Sequence, residues 1–146
     1  MLRDERQAAL NDVIVACKEA ADGYDDAATL IGDPTLAARF SEYGRQRREF
    51  AAELEDHIRR LGDLPRTPDA DSEAIERLVT HLKAAFSSDE RAALLRERED
   101  AEAEIGRRVA DALDRDLPEE TKAVLRRLAH AVSEAARHLA AARAGP

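Results

Sequence analysis

The sequence predicts an all-α protein folded as a four-helix bundle, and three observations carry that prediction. Alanine is abundant while Gly and Pro are sparse among the 146 residues, a mixture that favours long helices with closely approaching backbones. Apolar residues recur at helical spacing through four long stretches, two on either side of a proline-marked loop. The words DERQAAL at residues 4–10 and DERAALL at 89–95 are nearly the same, as though one helical hairpin had been used twice. At this length the chain suits one well-buried domain.

The first helix is expected over about residues 4–31. Leu10, Cys17, Tyr24 and Ile31 recur there every seven residues, with Val13, Ile14, Ala20, Ala21, Ala27 and Ala28 filling one stripe. Gly32 supplies a C-terminal cap, and Asp33 with Pro34 supplies an N-cap and a first-turn proline, so the second helix folds back as a tight hairpin. That helix, 34–61, carries Leu36, Phe40, Tyr43, Phe50, Leu54 and Leu61 on one face and stops at Gly62. Pro65 and Pro68 mark a loop, and Ile75, Leu78, Val79, Leu82 and Phe86 predict a short connecting helix within the crossover. Ser87 followed by Glu90 reads as a capping box.

The third long helix, 88–114, shows Leu95, Ile105, Val109 and Leu113 in register. After DLPEE the last, 118–143, shows Leu125, Leu128, Val132, Ala135, Leu139 and Ala142. A shift of 85 positions carries Leu10 onto Leu95, Tyr24 onto Val109, Phe40 onto Leu125, Phe50 onto Ala135 and Leu54 onto Leu139. One domain follows: a hairpin at 4–62, a crossover at 63–87 and a second hairpin at 88–143, packing their apolar stripes together.

Charge excludes several partners. A net charge of -8 opposes a general grip on nucleic acid phosphates. The opening MLRDERQAALND carries charges where a signal peptide needs an apolar core, and no apolar run approaches the roughly 20 residues that span a bilayer. A soluble cytoplasmic protein is expected, with no nucleic acid and no membrane partner. The lone Cys17 agrees with a reducing compartment and excludes a clustered-cysteine zinc site. No phosphate-cradling glycine loop and no nucleophile elbow is present.

The stretches LNDVIVACKEAADGYDDAA, FSEYGRQRREFAAEL and ERED resemble a bacterial family of ferritin-like four-helix-bundle proteins of unknown function. The resemblance runs from about Leu10 to Leu139, with LND, GY and RREFAAEL its most specific parts. It implies a ferritin-like topology, with the long crossover between the second and third main helices, and no particular activity.

Ferritin-like di-metal centres need inward carboxylates from four helices, with Glu-x-x-His on two of them. No histidine here satisfies that spacing: three residues before His57, His81, His130 and His138 stand Leu54, Leu78, Arg127 and Ala135. Within RREFAAEL, the positions where the resemblance would place Glu and His hold Arg47 and Phe50. Asp12, Glu19 and Asp22 point away from the first helix's apolar stripe. No catalytic, cofactor-binding or metal-ligating residue is therefore assigned, and no cofactor is expected.

Glu102 nevertheless lies one heptad after Leu95 and one before Val109, in mid-stripe, with Arg98 and Glu99 toward its edges. Arg47 lies between Tyr43 and Phe50, and His57 one heptad beyond Phe50. An isolated buried carboxylate is costly, so Glu102 is expected to pair with Arg47; in the alternative both reach water. Glu53 with His57, and His130, Glu134 and His138, share helical faces and suit ordinary intrahelical pairing better than metal. Cys17, Tyr24 and Tyr43 read as core, and the runs RERED and RQRRE as solvated faces.

The leading functional expectation is a non-enzymatic binding or assembly module, linked to a bacterial stress response through the resemblance. Its partner would be another protein or a second copy, since Ala-rich faces such as AAARA near the C-terminus allow a homodimer. The competing expectation is a metal-binding ferritin-like protein, a di-iron oxidoreductase or an iron handler, using Glu99, Glu102 and the histidines in a departed arrangement.

Overall fold

The computed structural model describes residues 4–68 and 88–145. They form four α-helices: α1 (Glu5–Leu30), α2 (Pro34–Arg60), α3 (Ser88–Leu113) and α4 (Glu119–Ala144). No strand occurs among the described residues, and no described helix is long and apolar enough to cross a membrane. The expected connecting helix and the Ser87 capping box lie outside the described residues.

Local chemistry sets the helix ends. Asp4 caps α1 in a capping box with Gln7, each side chain accepting the other's backbone N–H. At the first turn Gly32 takes φ 69°, a left-handed conformation that suits glycine, and the Asp33 carboxylate then accepts from the N–H groups of Thr35 and Leu36 at 3.0 and 3.2 Å. Gly62, at φ 86°, ends α2 in the same way. The second hairpin lacks a side-chain cap, because Pro118 stands at the N-cap of α4. The buried Leu117 anchors that turn instead.

The helices α1 and α2 form one hairpin and α3 and α4 the other. Arg115 Nη1 meets Glu5 at 3.0 Å, so the end of α3 lies beside the start of α1 and the two run antiparallel. At the other end Arg91 Nη1 donates to the Ala142 carbonyl at 3.2 Å, and the same guanidinium lies 3.9 Å from Asp33. The end of α2 and the start of α3 thus lie at opposite ends of the bundle. Here α1 packs on α2 and α3, and α4 on α3 and, less intimately, on α2.

The interior divides into two apolar clusters. One gathers Leu10, Ile14, Leu54, Ile58, Ile105 and Leu125 with their neighbours. The other gathers Tyr24, Phe40, Tyr43, Leu95, Ala135 and Leu139. The residues related by the 85-position shift are buried in both halves, Phe50 more shallowly than Ala135. Between the clusters α2 passes from Tyr43 to Ala51 and α3 from Leu95 to Ile105. Those gaps hold Arg47, Arg98 and Glu102.

Candidate functional site

A charged layer occupies mid-bundle, between the two apolar clusters. Arg47 of α2 and Glu102 of α3 are both fully buried, at 0% exposure. Arg47 Nε donates to Glu102 Oε2 at 3.1 Å and Arg47 Nη2 donates to Glu102 Oε1, a two-point pairing. The same Nη2 reaches the Ala131 carbonyl of α4 at 3.5 Å, while Nη1 has no hydrogen-bond partner. Because α2 and α3 lie diagonally across the bundle, the ion pair spans its axis. The expected pairing is what the structure contains, and the solvated alternative is excluded by the burial of both side chains.

Neighbours respond to this layer. Burial pulls the Arg47 guanidinium down, but the hydrogen bonds and charge of Glu102 outweigh it and leave Arg47 above its usual value. The Cys17 thiol is pushed up to about 12 by burial first, with Arg47 and Glu102 acting in opposite senses. Burial first, then the Glu102 charge, raises the Tyr24 phenol well above the ordinary range. Tyr24 packs against Phe40 and Tyr43 with ring centres 5.8 and 5.5 Å apart, so both tyrosines are core, as expected. Arg47 sits 6.0 Å over the Tyr43 ring.

Sequence periodicity placed Arg98 at the stripe's edge, yet it belongs to this layer. Its side chain crosses to α1, where Nη1 donates to the Ala20 carbonyl at 3.2 Å and Cζ lies 5.3 Å over the Tyr24 ring. The guanidinium rests on Gly23: a Cβ there would stand 2.2 Å from Nη1. That contact gives the GY pair its meaning, a bare backbone beside a buried ring. The runs RQRRE and RERED are therefore not wholly solvated, since each sends one arginine inward.

Two further buried polar contacts escaped the sequence reading. Asn11 is fully buried; its Nδ2 donates to Asp63 Oδ2 at 3.1 Å and to the Leu64 carbonyl at 3.2 Å, and its Oδ1 accepts from Arg66 N at 3.0 Å. The LND word thus clamps the segment that follows α2. His57 Nδ1 lies 2.7 Å from Thr121 Oγ1 of α4.

This corrects the expected Glu53 with His57 pairing, because Glu53 is taken by Arg127 at 2.6 Å. His138 likewise turns from Glu134 to Arg39 and Tyr43, each 3.0 Å from Nδ1. Only His130 meets Glu134 as expected, at 3.8 Å on the exposed face. Glu99 pairs with Arg143 at 2.6 Å, so Glu99, Glu102 and the described histidines are not brought together.

The residues at mid-bundle do not fit a four-helix di-metal centre. Such a centre needs several carboxylates facing one another, whereas Glu102 faces a guanidinium and α1 contributes Cys17, Ala20, Ala21 and Tyr24. Among the described residues no three His, Cys, Asp or Glu side chains cluster as a metal site requires. A shallow groove lined by Lys18, Asp22, Arg48, Ala51, Glu55, Thr67 and Pro68 lies between α1 and α2. Its charges neutralise one another, Lys18 with Glu55 at 2.9 Å and Arg48 with Asp22 at 3.0 Å.

Set against known proteins, residues 5–115, from the start of α1 to just beyond α3, match a family model described as a domain of unknown function (DUF2383). No curated protein and no solved structure matches the chain.

Proposed function

The chain belongs to this family of domains of unknown function, DUF2383, and on that premise we propose that it is a ferritin-like bundle serving as a non-enzymatic binding or assembly module. The Arg47–Glu102 pair carries the reading. A buried guanidinium takes the place where an interior metal would need anionic ligands, and both Glu102 oxygens are already engaged by it. A cation arriving there would meet the charge of Arg47 and lose its only fully buried described carboxylate to a competing partner.

The ferritin-like topology is supported by the opposite placement of the α2 and α3 ends and by the diagonal relation of those helices. A cytoplasmic setting and a role in a bacterial stress response complete the proposal. The partner is a protein, or a second copy meeting it through Ala-rich faces of α4.

Metal analysis of protein from iron- and zinc-supplemented cells tests the reading. We expect no stoichiometric metal. Stoichiometric metal that is lost on Glu102→Gln would replace the module with a metal handler. Solution mass measurement across a concentration series tests self-association, and a concentration-independent monomer would restrict the partner to another protein.

A further inference from the structure

Among the described residues two arginines are buried, and they are held very differently. Arg47 is fixed by two charge-assisted hydrogen bonds to Glu102. Arg98, one helical turn before Glu102 on the same face, is 92% buried, since its exposure is 8%. Among the described residues it has no carboxylate partner: one neutral carbonyl and one aromatic ring hold it, and its Nε has no hydrogen-bond partner. A guanidinium so placed has lost much of its hydration for modest compensation. Outward rotation restores that hydration, while Arg47 has no comparable incentive to move.

The position of Arg98 gives such rotation a consequence. Gly23 has no side chain, and the guanidinium lies flat against its backbone, within 2.2 to 2.5 Å of where a Cβ would stand. Beneath it lie the buried Tyr24 ring and the Glu102 carboxylate, whose charge acts on that phenol. Cys17 lies in the adjoining apolar cluster, within one helical turn of Ala20, whose carbonyl holds Arg98. Elsewhere the layer is bounded by the two apolar clusters.

We infer that Arg98 is a movable gate: its guanidinium closes the notch at Gly23 between α1 and α3 and, by swinging outward, admits solvent to the Tyr24–Glu102 layer without unfolding of the bundle. The single cysteine, buried at the edge of the layer, provides a reporter of its opening. Its reaction with a small thiol reagent is measured in the full chain at a series of urea concentrations below the unfolding midpoint. A gate predicts a rate independent of urea at low denaturant, because local opening exposes little surface, joining the global branch only near the midpoint. A rate that climbs with the full unfolding slope from zero urea overturns the proposal.

Two variants sharpen the test. Arg98→Ala removes the gate, and Gly23→Ala displaces it by filling the notch. Each is expected to raise the low-urea rate by about tenfold or more, the effect of losing a hydrogen bond and a cation–π contact. Gly23→Ala also exchanges a helix-weakening residue for the best helix former, which offsets the lost contacts, so its unfolding midpoint should stay near that of wild type while the thiol becomes more reactive. A faster thiol at an unchanged midpoint marks local opening and cannot come from general loosening. A wild-type rate in Gly23→Ala, or faster reaction in both variants with the full unfolding slope, refutes the gate.

Discussion

Replacing Glu102 by Gln keeps the shape of the side chain and removes its charge, leaving Arg47 as a buried cation. What then remains to Arg47 is the Ala131 carbonyl at 3.5 Å, the Tyr43 ring at 6.0 Å and whatever the new amide can accept. Breaking a buried pair from one side typically costs about 3 to 5 kcal/mol. Against a stability on the order of 0.05 to 0.15 kcal/mol per residue, that is a large fraction for a chain of 146 residues. Urea unfolding followed by the helical circular-dichroism signal measures it, and thermal unfolding should show a drop of roughly 10 °C. The double variant Arg47→Met with Glu102→Leu separates charge from packing, because an apolar replacement of a buried pair is often neutral or stabilising. We expect it to recover most of the single variant's loss. A Glu102→Gln change within about 0.5 kcal/mol of zero, the range of ordinary surface substitutions, would show that water reaches the pair and would refute closure of the bundle centre by charge.

Three other outcomes follow from the same geometry. Asn11→Ala removes the acceptor for Arg66 N and the donor to Asp63 and the Leu64 carbonyl; it should cost about 1 to 3 kcal/mol in urea unfolding, and limited proteolysis should then cut at residues 63–66 faster than in wild type. Thr121→Val deprives buried His57 of its partner across the α2–α4 seam, with a loss of similar size; unchanged stability would mean that His57 finds another partner. Alkali should weaken the fold. The unfolded chain releases the Cys17 proton near the ordinary value of 9.0, while the folded chain holds it to about 12, so this contribution is complete below pH 9 and is lost as pH rises toward 12. Tyr24, raised in the same sense, adds to the loss above its ordinary range. Cys17→Ala should remove the first part of that pH dependence, and an unchanged profile would contradict the thiol's assignment.

What the sequence reveals and conceals has a common physical basis. The Gly32, Asp33 and Pro34 turn was legible because its determinants are adjacent residues. The Arg47–Glu102 pair was legible because heptad register places both on inward faces, and an inward charge needs an opposite one. The Arg98 contact with Gly23 depends on how α1 and α3 align, which no single helix encodes. Asn11 was missed for a related reason: its partners lie 52 to 55 positions away. The Glu53–His57 spacing misled because Arg127 and Thr121 of α4 compete for those side chains and win. A four-residue spacing within a helix states what can meet, and only packing decides what does.

The near-twofold likeness of the two hairpins fails at the buried ion pair. The displacement that superposes the halves takes Cys17 onto Glu102 and Arg47 onto Val132. Two copies of the first half, joined in the native manner, would confront arginine with thiol; two copies of the second would confront carboxylate with valine. Either imitation leaves charge stranded in hydrocarbon, so each half accepts only its complement. A body assembled from look-alike parts thereby acquires an unambiguous mating rule.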